Sequence, residues 1–112
     1  MSQRIKRINE LLRQEISKLI LREIEFEDIL VTINQVETSP DLSHAKVKIS
    51  IMPTEKKELV LRIIDKNIYH LQQALNKKLY MKIVPKIRFE IDQAEIKARK
   101  IEEILGKIKK DH

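Results

Sequence analysis

The sequence predicts an α+β fold, a two-layer sandwich with helices on one side of a three-stranded sheet. Three observations carry this reading. Residues 44–52, HAKVKISIM, alternate polar and apolar from His44 to Ile51, as a strand with one wet face must. Residues 3–24 repeat their apolar side chains at three- and four-residue spacing, as an amphipathic helix does. Along the 112 residues such segments follow the order α-β-β-α-(break)-α-β-α, with one Gly and three Pro to interrupt them.

In the first helix the stripe is Ile5, Ile8, Leu12, Ile16, Leu19 and Ile20, widened by Leu11, and Ser2 is the expected cap. Residues 29–37 form a β-branched strand with Ile29, Val31 and Ile33 on one face. Val36 falls out of phase, which points to a bulge near Asn34–Gln35 or to a strand covered on both faces. Thr38-Ser39-Pro40-Asp41 is turn chemistry. In the next strand Ala45, Val47, Ile49 and Ile51 point inward and His44, Lys46, Lys48 and Ser50 outward. Pro53 breaks it, and Thr54 is placed to cap a helix from about Glu55.

The apolar positions of that helix are Leu59, Val60, Ile63 and Ile64, then Ile68, Leu71, Ala74, Leu75 and Leu79. The two groups centre at different angles, so a kink or break is expected between about Asp65 and His70, at the weak helix former Asn67. Pro85 ends the helical region. Residues 86–92 alternate, with Ile87, Phe89 and Ile91 inward, and residues 93–110 form a last amphipathic helix capped by Asp92. The whole, residues 1–112, reads as one domain with a tail that frays from about Gly106.

Charge is the second theme. The chain carries 23 Lys and Arg against 17 Asp and Glu, a formal net charge of +6. Residues 66–88 hold six basic side chains and no acid, whereas residues 25–45 hold five acids and no Lys or Arg. An acid-free segment presents an uncompensated positive field, as partners of polyanions do. The plainer explanation is a solvated helix face. Its polarity favours docking in one orientation over nonspecific coating.

Catalytic and metal chemistry find little support. Without Cys there are no disulfides, thiolate zinc sites or thiol nucleophiles, which fits a reducing compartment. A single Gly excludes a glycine-rich phosphate loop. Asp41, Ser43 and His44 resemble a nucleophile set on paper, but neighbours in a strand face opposite ways, so hydroxyl and ring are not expected to hydrogen-bond. No metal site, cofactor or small-molecule substrate is expected. No apolar run spans a bilayer and no signal peptide is expected, so the cytoplasm is the expected location. Tyr69 and Tyr80 lie about three helical turns apart, on an unbroken helix both opposite the apolar stripe, where they can stack on bases or pack against a loop.

RINELLRQEISKLI in the first helix, TSPDLSHAKVKIS at the hairpin, and IVPKIRFEID followed by RKIEEIL together resemble the bacterial ribosome-binding factor A family over nearly the whole chain. The resemblance implies a type II KH-like fold. It also implies a non-enzymatic assembly factor that binds 16S ribosomal RNA on free, immature 30S subunits, supporting late maturation and growth in the cold. The family's Ala-x-Gly kink is replaced here by Asn67-Ile68-Tyr69, and Ala98 stands where a glycine is frequent. Without a GxxG loop, structured RNA is expected to be held by phosphate contacts. Lys66, Lys77, Lys78 and Lys82 are the expected main contacts, flanked by Lys46, Lys48, Arg7 and Arg13, with Tyr69 and Tyr80 beside them. The protein is expected to be a monomer. The alternative is a protein–protein adaptor acting through the acidic 25–45 flank or the last helix.

Overall fold

The computed structural model describes residues 3–94. The Ser2 cap, the last helix beyond its first residues, Ala98 and the tail from Gly106 lie outside the described residues. Helix α1 (Gln3–Glu23) leads into strands β1 (Leu30–Thr38) and β2 (His44–Met52). A 3₁₀ turn (Thr54–Lys56) and helix α2 (Lys57–Lys78) follow, then strand β3 (Lys86–Ile91). The sheet order is β1-β2-β3, with β1 antiparallel and β3 parallel to β2. A parallel pair needs a long crossover, and α2 supplies it.

The helices cover one face of the sheet. Leu12, Ile16 and Leu19 of α1, Val60, Ile64, Leu71 and Leu75 of α2, and Ala45, Val47, Ile49 and Ile51 of β2 form one buried core. Fully burying a Leu or Ile side chain is worth about 1.5–3 kcal/mol, so this core is the main stabilising term. The opposite face of β2 carries His44, Lys46, Lys48 and Ser50, as its alternation requires. In β1 the register shifts between Ile33 and Gln35. This bulge at Asn34 returns Val36 and Thr38 to the buried face, which accounts for the out-of-phase Val36. Asp92 caps the chain beyond β3: its Oδ1 accepts the Ala94 N–H at 3.1 Å.

Three local expectations are corrected. Helix α2 runs from Lys57 to Lys78 without the expected break near Asn67. Its buried residues Val60, Ile64, Leu71 and Leu75 fall within an arc of about 60° at 100° per residue, so one stripe persists. The apparent drift comes from Leu59, which is exposed, and from Ile63 and Ile68, which are only half-buried. Asn67 is accommodated by donating its amide N–H to the Ile63 carbonyl at 2.8 Å. Thr54 does not cap α2. It opens the 3₁₀ turn, in which Lys56 N–H donates to the Pro53 carbonyl at 3.1 Å. Ser43 and His44 do approach, with Oγ 2.9 Å from Nδ1, because Ser43 precedes the strand and the alternation rule does not reach it.

Candidate nucleic-acid interface

One end of the fold gathers three connections that are remote in sequence. Asn9 Oδ1 in α1 accepts the Thr38 N–H at 2.9 Å, placing the start of α1 beside the β1–β2 turn. Lys86 N–H donates to the Ser43 carbonyl at 3.0 Å, bringing the α2–β3 loop to the same turn. Gln72 fixes that loop to α2: its Oε1 accepts the Ile87 N–H at 2.9 Å and its Nε2 donates to the Pro85 carbonyl at 3.1 Å. Between these elements lies an open groove of about 470 Å³. Ile8, Leu11, Leu42, Met81 and Ile83 form its apolar lining, and Arg4, Arg7, Lys82 and Tyr80 its rim.

Arg4, Arg7 and Lys82 are exposed, and among the described residues no carboxylate lies within ion-pair distance of them. Along α2 the outward side is read from its period: Arg62, Lys66, Tyr69, Gln73 and Lys77 are all exposed and lie opposite the buried stripe. Lys66 and Lys77 likewise have no carboxylate partner among the described residues. Beyond the end of α2 the chain runs on to Tyr80–Ile83 at the groove, where Lys82 stands with Arg7.

The other expected residues lie elsewhere or are engaged. Lys78 turns towards α1, its Nζ 3.3 Å from Glu15 Oε2. Arg13 is held by Glu10, its Nε donating to Oε2 at 3.1 Å. Lys46 and Lys48 point from the face of the sheet opposite the helices, and Lys48 Nζ lies 3.2 Å from Glu37 Oε1. Tyr69 is on the ridge, but Tyr80 lies beyond the end of α2 and stands at the groove instead. The ten residues therefore do not form one surface. Arg4, Leu11, Leu42 and Ile83 line the groove and are not among the residues the sequence singles out for binding. The one sequence signal for them is Leu11, which makes the α1 stripe too wide for a helix with a single buried seam.

The acidic flank is divided. Glu25, Glu27 and Asp28 occupy the α1–β1 connection at the end away from the groove, while Asp41 lies in the β1–β2 turn at the basic end. Asp41 Oδ1 accepts from Ser39 Oγ at 2.7 Å, Ser43 Oγ at 2.7 Å and Ser43 N–H at 3.1 Å. The two serine hydroxyls, then the backbone N–H, hold its carboxyl down at about 2. The Ser43 hydroxyl donates to this carboxylate at 2.7 Å and also lies 2.9 Å from His44 Nδ1. This is turn chemistry.

The element order, the mixed three-stranded sheet and the helical layer define a KH-like domain, here with a basic end. The family description "Ribosome-binding factor A" matches residues 4–105. Among curated relatives, ribosome-binding factor A of Thermodesulfovibrio yellowstonii is 33% identical over 108 residues, covering 96% of this chain and 92% of that protein. That of Caldanaerobacter subterraneus is 34% identical, covering 98% and 93%. The crystal structure of ribosome-binding factor A from Thermus thermophilus shares the fold, with a TM-score of 0.66 at 21% identity over 78% of this chain and 94% of that one. A homology model of the Thermus thermophilus protein, fitted into the cryo-EM map of a 30S complex, gives a TM-score of 0.64 at 23% identity, over 76% and 91%. The chain belongs to the ribosome-binding factor A family. No described helix is long and apolar enough to cross a membrane.

Proposed function

We propose that this protein is a non-enzymatic assembly factor of the bacterial cytoplasm that binds free, immature 30S subunits through 16S ribosomal RNA and assists their late maturation. It acts as a single domain and a monomer. The observation that carries this reading is the set of exposed cations without carboxylate partners among the described residues, Lys66 and Lys77 on the outward side of α2 and Arg4, Arg7 and Lys82 at the groove. Such a surface meets phosphate without first breaking internal ion pairs. Family membership supports the same partner, since a relative of this fold has been placed in a 30S complex. Lys78, Arg13 and Lys48 serve the fold first, and Lys46 faces away from this surface.

The test is gradient sedimentation of the full chain with free small subunits. Replacing Arg7, Lys66, Lys77 and Lys82 together by Gln is expected to move the protein from the subunit fraction to the top of the gradient. Normal co-sedimentation of that variant would refute the placement. A second reading, a protein adaptor, draws on Leu21 and Leu30, 83% and 64% exposed at the end that carries Glu25, Glu27 and Asp28. It requires an association that survives nuclease treatment and depends weakly on salt.

A further inference from the structure

The basic end carries more apolar surface than phosphate binding needs. Ile83 is 61% exposed at the groove, Leu11 is exposed on α1, and Tyr80 is fully exposed at the rim. Leu42 adds a second observation. It lies at φ 63 in the β1–β2 turn, a left-handed conformation that Gly or Asn adopts with far less strain than a leucine. A leucine held there keeps an apolar side chain against the groove where either of those residues would open it.

We propose that this groove is a subsite for one unpaired nucleotide of a folded RNA, the base leaving its helix to stack on Tyr80 over Leu42 and Ile83. This rests on the RNA reading above and deepens it. Arg4, Arg7 and Lys82 stand at the rim, and among the described residues no carboxylate lines the groove, so its charge complements the phosphates on either side of such a base. An apolar slot with an aromatic ring and a cationic rim matches the two halves of a nucleotide. The cations alone would accept any phosphate backbone. The tyrosine and the apolar lining make the site selective for a base that is free to leave the stack.

The experiment titrates the full chain with three RNA hairpins of one stem: with a single bulged 2-aminopurine nucleotide, with an abasic bulge, and fully paired. Wild type is expected to bind the first about tenfold more tightly than the others, with 2-aminopurine emission falling on binding. Tyr80→Phe retains this preference. Tyr80→Ala brings the three hairpins within about twofold while the salt dependence stays as it was. Leu42→Asn, which suits the left-handed turn, keeps the fold and weakens the preference. Equal, salt-dependent binding of all three hairpins by wild type overturns the subsite and leaves the RNA reading standing. Failure to bind any hairpin at low salt overturns both. A preference that survives in Tyr80→Ala, or a groove filled by an acidic amphipathic peptide with which the bulged hairpin does not compete, also overturns the subsite.

Discussion

Lys78 Nζ lies 3.3 Å from Glu15 Oε2, tying the last turn of α2 to the middle of α1. Lys18 Nζ approaches the other oxygen of the same carboxylate at 3.6 Å, so Glu15 serves two lysines. Glu15→Gln is therefore expected to lower stability by about 1 kcal/mol and Lys78→Gln by about half that, both effects shrinking in high salt. Denaturant unfolding measures this. Lys78→Gln is further expected to leave small-subunit affinity within about twofold, whereas Lys77→Gln weakens it without changing stability. A larger loss of affinity from Lys78 than from Lys77 would mean that Lys78 leaves Glu15 to reach the RNA.

Gln72 carries the α2–β3 loop. Its side chain meets the Ile87 N–H, the Pro85 carbonyl and Asn76 Oδ1, the last at 3.0 Å. Gln72→Leu strands a partly buried N–H and a carbonyl together, so a loss of about 2 kcal/mol is expected. Gln73→Leu, one position away on the exposed ridge, is expected to cost less than about 0.5 kcal/mol. Thermal melts of the two variants decide it. Equal melting temperatures would show that the loop is held by packing of Ile87 and Pro85 alone.

Thr38 is the buried polar residue of the sheet. Its N–H donates to Asn9 Oδ1, yet its Oγ1 finds no partner among the described residues. Thr38→Val removes the stranded hydroxyl with little change of shape and is expected to stabilise by about 1 kcal/mol. Asn9→Ala leaves the Thr38 N–H unpaired and is expected to cost about 1–3 kcal/mol. The opposite signs, read from chemical unfolding midpoints, separate this account from general packing loss.

How far the fold is legible depends on how much each pattern leans on distant partners. The β2 alternation needs no partner to be read, because a period of two assigns every side chain to a face. The bulge at Asn34 is visible for the same reason, as the point where Val36 breaks phase. A false break arises in α2 because sequence weights Leu59, Ile63 and Ile68 like Val60, Ile64, Leu71 and Leu75. Only the docked sheet and α1 decide which of them are covered. An absence of acids across residues 66–88 says nothing of Glu15, which reaches Lys78 from another helix. The groove is illegible because three separate segments build it, and a left-handed leucine at position 42 leaves no mark in composition or periodicity.

The acidic limb of the pH-stability curve should report the β1–β2 turn. Asp41 titrates at about 2 when folded, against an ordinary value of 3.8, because the Ser39 and Ser43 hydroxyls bond its carboxylate. A depressed folded value means that stability is fully present above about pH 4 and is lost as pH falls towards 2. Glu23 adds to the same limb. The hydrogen bond from His70, at 3.0 Å, and that from Arg22 lower its pKa. Ser39→Ala with Ser43→Ala is expected to return Asp41 to near its ordinary value in a carboxyl NMR titration. A titration unchanged by the pair of substitutions would mean that another group holds the carboxylate.

The two cationic faces make opposed predictions for RNA. Lys66 and Lys77 lie on the outer ridge of α2, whereas Lys46 and its register partner Arg88 lie on the face of the sheet turned away from the helices. The layers stand back to back, so one rigid RNA helix cannot rest on both. Each phosphate contact removed lowers the slope of log affinity against log salt by about one unit. Lys66→Gln with Lys77→Gln is therefore expected to reduce the slope for small subunits by about two units, and Lys46→Gln with Arg88→Gln to leave it unchanged. Filter binding across a salt series measures both. Were the sheet pair to carry the loss, the docking surface would be that face of the sheet and the α2 ridge would point to solvent.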